Sequence, residues 1–182
     1  MKSEKLFTEN NLVIKGPLLI KNNFYEDKRG FFKESWNQSK FDEIVGSKII
    51  FVQDNHSLSY EGVLRGMHYQ TSPKEQAKLV RCTKGEIYDV LVDIRENSQT
   101  YLNWVGITLN EFKHEQLWVP EGFAHGFLTL SKVAEVQYKT NEYWSKENER
   151  SIKWDDPKIK IKWPINSKFV ITSEKDKTSS FL

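Results

Sequence analysis

Residues 51–70 hold His56 and His68, Arg65, the carboxylates Asp54 and Glu61, and the amides Gln53, Asn55 and Gln70. Polar groups at that density cannot enter an apolar core without partners. They suit the wall of a ligand-sized cavity. His68 is a candidate proton acceptor, because an unperturbed imidazole titrates near neutrality. Lys78 opens the next strand pattern, where an inward ammonium would stabilise an oxyanion. Its ordinary alternative is an edge-strand lysine that discourages sheet-to-sheet pairing. Tyr138 shares a face with Ala134 and Val136 and reads as a core aromatic or as a phenol that moves a proton. Arg29 stands at a turn before Gly30-Phe31-Phe32, and its guanidinium suits a phosphate or solvent.

Such side chains need strands to aim them, and period-two patterns dominate the chain. Residues 78–83, 86–94, 104–109, 116–119, 127–130 and 134–140 read as strands. Turn signals separate them at Lys84-Gly85, Asn97-Ser98 and Pro120-Glu-Gly122. Short strands so punctuated predict a sandwich or barrel. One short helix is expected over 40–45, capped by Asn37 or Ser39, with Phe41, Ile44 and Val45 inward and Gly46 ending it. The tail after Pro164 is polar and less regular.

Composition narrows the function classes. With 182 residues the chain reads as one domain spanning 1–182. Its formal charge of +2 gives no bulk attraction for nucleic acid. One cysteine, Cys82, permits no internal disulfide and fits a reducing compartment. The N-terminus lacks an apolar signal core and no stretch is long enough to span a bilayer, so a cytoplasmic protein without a membrane partner is expected.

Pro120-Glu-Gly122-Phe-Ala-His125 has the Pro-x-Gly-x-x-His form found in cupins, double-stranded β-helix barrels of the jelly-roll type. His68-Tyr-Gln70 occupies the place of the cupin His-x-His. Two histidines and Glu75 would make a facial triad for a metal. Gln70, however, is a poor ligand, and Glu75 sits in a loop that reads as solvated, so no metal is expected.

The chain resembles the dTDP-4-dehydrorhamnose 3,5-epimerase family over 24–176. The motifs that carry the resemblance are Asp27-Lys-Arg-Gly-Phe-Phe32, Phe51-Val-Gln-Asp-Asn-His-Ser57, Leu64-Arg-Gly-Met-His68, Lys78-Leu-Val80, Asp89-Val-Leu-Val-Asp-Ile-Arg95, Leu117-Trp-Val-Pro-Glu-Gly-Phe-Ala-His-Gly-Phe127, Trp154-Asp-Asp-Pro157 and Ser173-Glu-Lys-Asp176. It implies a mainly β cupin barrel with one or two short helices. It also implies a cofactor-free epimerase acting on a nucleotide-diphosphate 4-keto-6-deoxysugar.

By the same resemblance His68 is the base, Asp176 its partner, Lys78 the enolate stabiliser and Tyr138 the opposing acid. Arg29, Glu34, Gln53, Asp54, Asn55, Arg65, His125, Glu149 and Lys175 are implied as substrate contacts. Trp144 falls where the family usually stacks a tyrosine on thymine. A homodimer is implied too, with N-terminal strands of one subunit completing the other's site. His56 is left with a structural or peripheral role. The alternatives are a relative epimerising C3 or C5 alone, a ketoisomerase, a metal-dependent cupin and a non-catalytic sugar-binding cupin.

Overall fold

The computed structural model describes residues 1–182. Its strands are β1 (Lys2–Phe7), β2 (Val13–Lys21), β3 (Phe24–Asp27), β4 (Gly30–Lys33), β5 (Gln53–Tyr60), β6 (Leu64–Gln70), β7 (Lys78–Lys84), β8 (Glu86–Asp93), β9 (Trp104–Asn110), β10 (Glu115–Val119), β11 (Phe123–Thr129), β12 (Val133–Thr140) and β13 (Glu149–Ser151). Two helices, α1 (Gln38–Val45) and α2 (Glu174–Lys177), complete it with one 3-10 turn. Six strands form one sheet in the order β1-β2-β10-β7-β12-β5, and five form a second in the order β13-β6-β11-β8-β9. All pairings between these strands are antiparallel, as in a jelly-roll barrel. The β3–β4 hairpin stands apart as its own two-stranded ribbon.

Alternation explains how the sheets share a core. On β7 the residues Val80 and Cys82 turn inward, on β8 Ile87 and Leu91, and on β12 Ala134 and Val136. They join Leu117, Val119, Phe123 and Phe127 in one buried cluster between the sheets. The opposite parity is also covered, which is why β8 is apolar on both faces. Val90 and Val92 pack under Trp104, Ile152 and Ile159, where the chain from 152 to 163 crosses the outside of the smaller sheet.

On the larger sheet α1 supplies the cover. Phe41 is fully buried beside Ile20, Leu79 and Trp118, with Trp36 and Phe51 stacked around it. Truncating such a side chain to alanine costs about 3–5 kcal/mol. Asn37 caps the helix by accepting from the Lys40 amide, and Gly46 ends it with φ +77°. The helix therefore begins two residues earlier than its apolar pattern predicts, because a polar Gln38-Ser39 turn precedes the first buried position.

The strand at 127–130 also begins earlier, at Phe123. Glycine and histidine interrupt its apolar pattern, yet β11 is buried along its whole length. Its neighbour explains Gly126. At Gly66 on β6, with φ +141°, an added Cβ would lie 2.5 Å from the Gly126 Cα. The two glycines let the strands touch where the ladder shifts register between His125 and Phe127.

Candidate active site

The polar end of the barrel interior opens as a cavity of about 470 Å³. Arg65, His68, Lys78, His125, Tyr138, Lys175 and Asp176 line it, together with Ser57 and a set of apolar residues. His68 and His125 are register partners on adjacent strands of the smaller sheet. Lys78 and Tyr138 belong to the larger sheet, on the neighbouring strands β7 and β12. The candidate base and the candidate acid thus enter one cavity from opposite sheets.

Asp176 reaches His68 from far along the chain. Its helix α2 is capped by Ser173, whose hydroxyl accepts from the Asp176 amide. The approach to α2 is pinned where the Ile171 amide donates to the Gly62 carbonyl and the Leu64 amide to the Ile171 carbonyl, both at 2.8 Å. Asp176 is 2% exposed. Burial alone would raise its pKa, but the hydrogen bond and charge of His68, with the Ser173 and Gly66 contacts, bring the net value below the ordinary carboxylate range. An ionised Asp176 accepts from His68 Nε2 at 2.6 Å. That bond fixes the tautomer and leaves the Nδ1 lone pair as the basic site.

Lys78 is 8% exposed, and its ammonium donates to the His68 carbonyl at 3.2 Å. Burial pushes its pKa down to about 8, against the opposing pull of Asp89 and Glu149. It remains a cation at neutral pH, poorly solvated and close to the base. Tyr138 has its phenol pKa raised, chiefly by burial, with Arg65 partly opposing the rise. A phenol that keeps its proton at neutrality is suited to donate it. A second pair, His125 Nε2 and Asp89 Oδ1 at 2.7 Å, lies buried in the same interior.

Not every expected contact gathers here. Gln53, Asn55 and Ser57 take the inward parity of β5, whereas Asp54 takes the outward one and pairs with Lys139 at 2.9 Å. Of these four residues only Ser57 lines the cavity of its own chain. His56, also outward, bonds Glu135 at 3.1 Å, in keeping with a peripheral role. Arg29 is exposed on the β3–β4 hairpin and clasps Asp27, and Glu34 pairs with Lys40. Neither lines the cavity of its own chain. Glu149 bonds Lys175 at 2.6 Å, and the Trp144 amide donates to Gln53 at 3.2 Å.

Gln70, in the place of a metal-binding histidine, is committed at both ends. Its amide donates to the Lys74 and Tyr143 carbonyls and accepts from the Ser145 amide at 2.8 Å. Ser57 is a lining residue that sequence reasoning missed. Its hydroxyl is buried without a protein partner, as is the Asn55 side-chain NH₂. Its signal was parity with Gln53 and Asn55.

A family model described as dTDP-4-dehydrorhamnose 3,5-epimerase matches residues 11–182. The chain belongs to the dTDP-4-dehydrorhamnose 3,5-epimerase family. It is therefore an isomerase. The Shigella flexneri dTDP-4-dehydrorhamnose 3,5-epimerase is 54% identical over 159 residues, covering 87% of each chain. A Legionella pneumophila epimerase, solved with dTDP-4-keto-L-rhamnose, is 42% identical with a TM-score of 0.90 over 99% of this chain and 93% of that one. The Bacillus anthracis epimerase with TDP and PPi bound is 40% identical with a TM-score of 0.89, each chain covered fully. The cavity between the sheets, with its His68–Asp176 pair, Lys78 and Tyr138, is thus the candidate epimerase site.

Proposed function

We propose that this epimerase converts dTDP-4-dehydro-6-deoxyglucose to dTDP-4-dehydrorhamnose by inverting C3 and C5 in turn. The observation that carries the reading is the entry of His68 and Tyr138 into one cavity from opposite sheets. The C4 carbonyl acidifies the neighbouring C–H bonds. His68 Nδ1 takes the proton from C3, the bonding pair moves into the C3–C4 bond, and the carbonyl oxygen becomes an enolate. Lys78 faces that oxygen. Its interaction strengthens as charge develops, so it favours the transition state over the ground state. Tyr138 then protonates the planar carbon from the other face, and the same sequence follows at C5. Solvent restores the Tyr138 proton and removes the one held by His68.

Gln53, Asn55, Arg65, Glu149 and Lys175 hold the nucleotide diphosphate, and Trp144 stacks on its base. A homodimer completes the site. The β3–β4 hairpin that carries Arg29 exposes Tyr25 at 70%, Phe31 at 56% and Phe32 at 73%. An exposed aromatic cluster of this kind marks a protein contact, and a second copy would bring Arg29 and Glu34 to a cavity they do not reach in their own chain. A cytoplasmic setting fits the free, buried Cys82.

The test is incubation with dTDP-4-keto-6-deoxyglucose in deuterated water, read by mass spectrometry and NMR. Deuterium at both C3 and C5, abolished by His68→Ala, is the expected result. Full exchange by His68→Ala would remove the assignment.

A further inference from the structure

The Trp154-Asp-Asp-Pro157 motif lies outside the cavity, and no proton transfer uses it. Asp156 is nonetheless only 1% exposed. Its carboxylate accepts from the Lys158 amide at 2.7 Å and from the Leu182 amide at 2.8 Å. A carboxylate on backbone donors makes the stronger kind of hydrogen bond. The first bond shapes the local turn. The second reaches 26 residues along the chain, to the segment that follows α2.

α2 needs such a tie. Four residues are too few for a helix to persist unaided. Asp176 is its only buried side chain, so no apolar face docks it. Ile171 before it and Phe181 and Leu182 after it are exposed. Its place is therefore set by polar contacts on either flank. Upstream are the Ile171 bonds to Gly62 and Leu64. Downstream the Lys153 amide donates to the Ser180 carbonyl at 3.0 Å, Ile152 and Ser180 are bridge partners, and Asp156 holds Leu182. Ile152 also exchanges two bonds with Met67, at 3.0 and 3.1 Å. His68 follows Met67 directly, and Asp176 precedes Ser180 by four residues. The base and its partner thus hang from the same segment, 152–158.

We propose that Asp156 is a positioning residue: by holding Leu182 it fixes the chain after α2 and keeps the Asp176 carboxylate on His68 Nε2. This role rests on the epimerase reading above, in which the His68–Asp176 pair is the base. Misplacing a catalytic group by about 1 Å costs on the order of 100-fold in rate.

The test follows kcat for deuterium incorporation at saturating dTDP-4-keto-6-deoxyglucose, so that any change in binding through Lys175 drops out. Leu182→Pro removes the amide donor at an exposed residue and leaves Asp156 in place. Asp156→Ala removes the acceptor. The expected fall is at least about three-fold for the first and about 10–100-fold for the second. Amide exchange over 173–178 should quicken in both, while that of β6 stays slow. In an Asp176→Asn background neither substitution should lower kcat further, because the carboxylate they position is already gone. A residue that only stabilises the fold would cost both backgrounds alike. An unchanged kcat in Leu182→Pro, or the same fold-loss in both backgrounds, overturns the role of Asp156 and leaves the epimerase reading standing. If Asp156→Ala does not fold, Leu182→Pro alone decides. No exchange by the natural protein overturns both.

Discussion

Lys78→Met is expected to slow the enzyme severely while making the fold more stable at neutral pH. The side chain is 8% exposed, and burial brings its pKa from 10.5 to about 8. At ~1.4 kcal/mol per pH unit, that gap corresponds to roughly 3 kcal/mol of destabilisation carried by the charged amine. Methionine is similar in volume and uncharged. It forfeits the bond to the His68 carbonyl and leaves Asp89 without a neighbouring cation, so a net gain of about 1–2 kcal/mol is expected. The sign follows from linkage. The folded pKa lies below the unfolded one, so between about pH 8 and 10.5 the unfolded chain binds the extra proton and the natural protein gains stability as pH rises. Below pH 8 the whole penalty is present.

Urea unfolding at pH 7 and at pH 10 measures it. The methionine variant should lead at pH 7, and its lead should shrink at pH 10. The rate of deuterium incorporation should fall by about 10²–10³-fold. A variant less stable than the natural protein at pH 7, or a stability difference identical at the two pH values, would refute the reasoning.

Asp176→Asn should leave the fold intact and lower kcat by on the order of 10²–10⁴, because the His68 tautomer loses its carboxylate anchor; steady-state kinetics with far-UV circular dichroism checks it, and near-normal turnover would show that the 2.6 Å bond does not orient the base. Gly66→Ala should destabilise by roughly 3 kcal/mol or more, since φ is +141° and the new methyl would meet the Gly126 backbone at 2.5 Å. A urea midpoint unchanged by that substitution would contradict the close approach of β6 and β11.

Much of the fold was legible because its strands alternate cleanly. The 78–83 and 134–140 patterns mark β7 and β12, and the Pro120-x-Gly122 turn marks the entry to β11. β11 reads short in the sequence, because burial on both faces erases alternation and a glycine at a strand contact resembles a turn. Gln53, Asp54 and Asn55 travel as one motif, yet period two separates Asp54 from its neighbours, and the structure follows the period.

Asp176 was legible only through the Ser173-Glu-Lys-Asp176 motif. Nothing local distinguishes that polar tail, and its partner lies 108 residues away. Ser57 was missed because a serine on a strand is chemically unremarkable until burial removes its water. Arg29 and Glu34 show the same limit from the other side, since a single chain leaves them at its surface.

The central claim is that acid and base act from opposite faces of one planar enolate. Tyr138→Phe in deuterated water tests it most directly, with dTDP-4-keto-6-deoxyglucose as substrate and NMR of the product configuration as readout. With the phenol gone, His68 should still exchange the C3 and C5 hydrogens for deuterium, returned to the original face, while the inverted sugar forms at least about 10²-fold more slowly. Inversion by Tyr138→Phe at the natural rate would contradict the account.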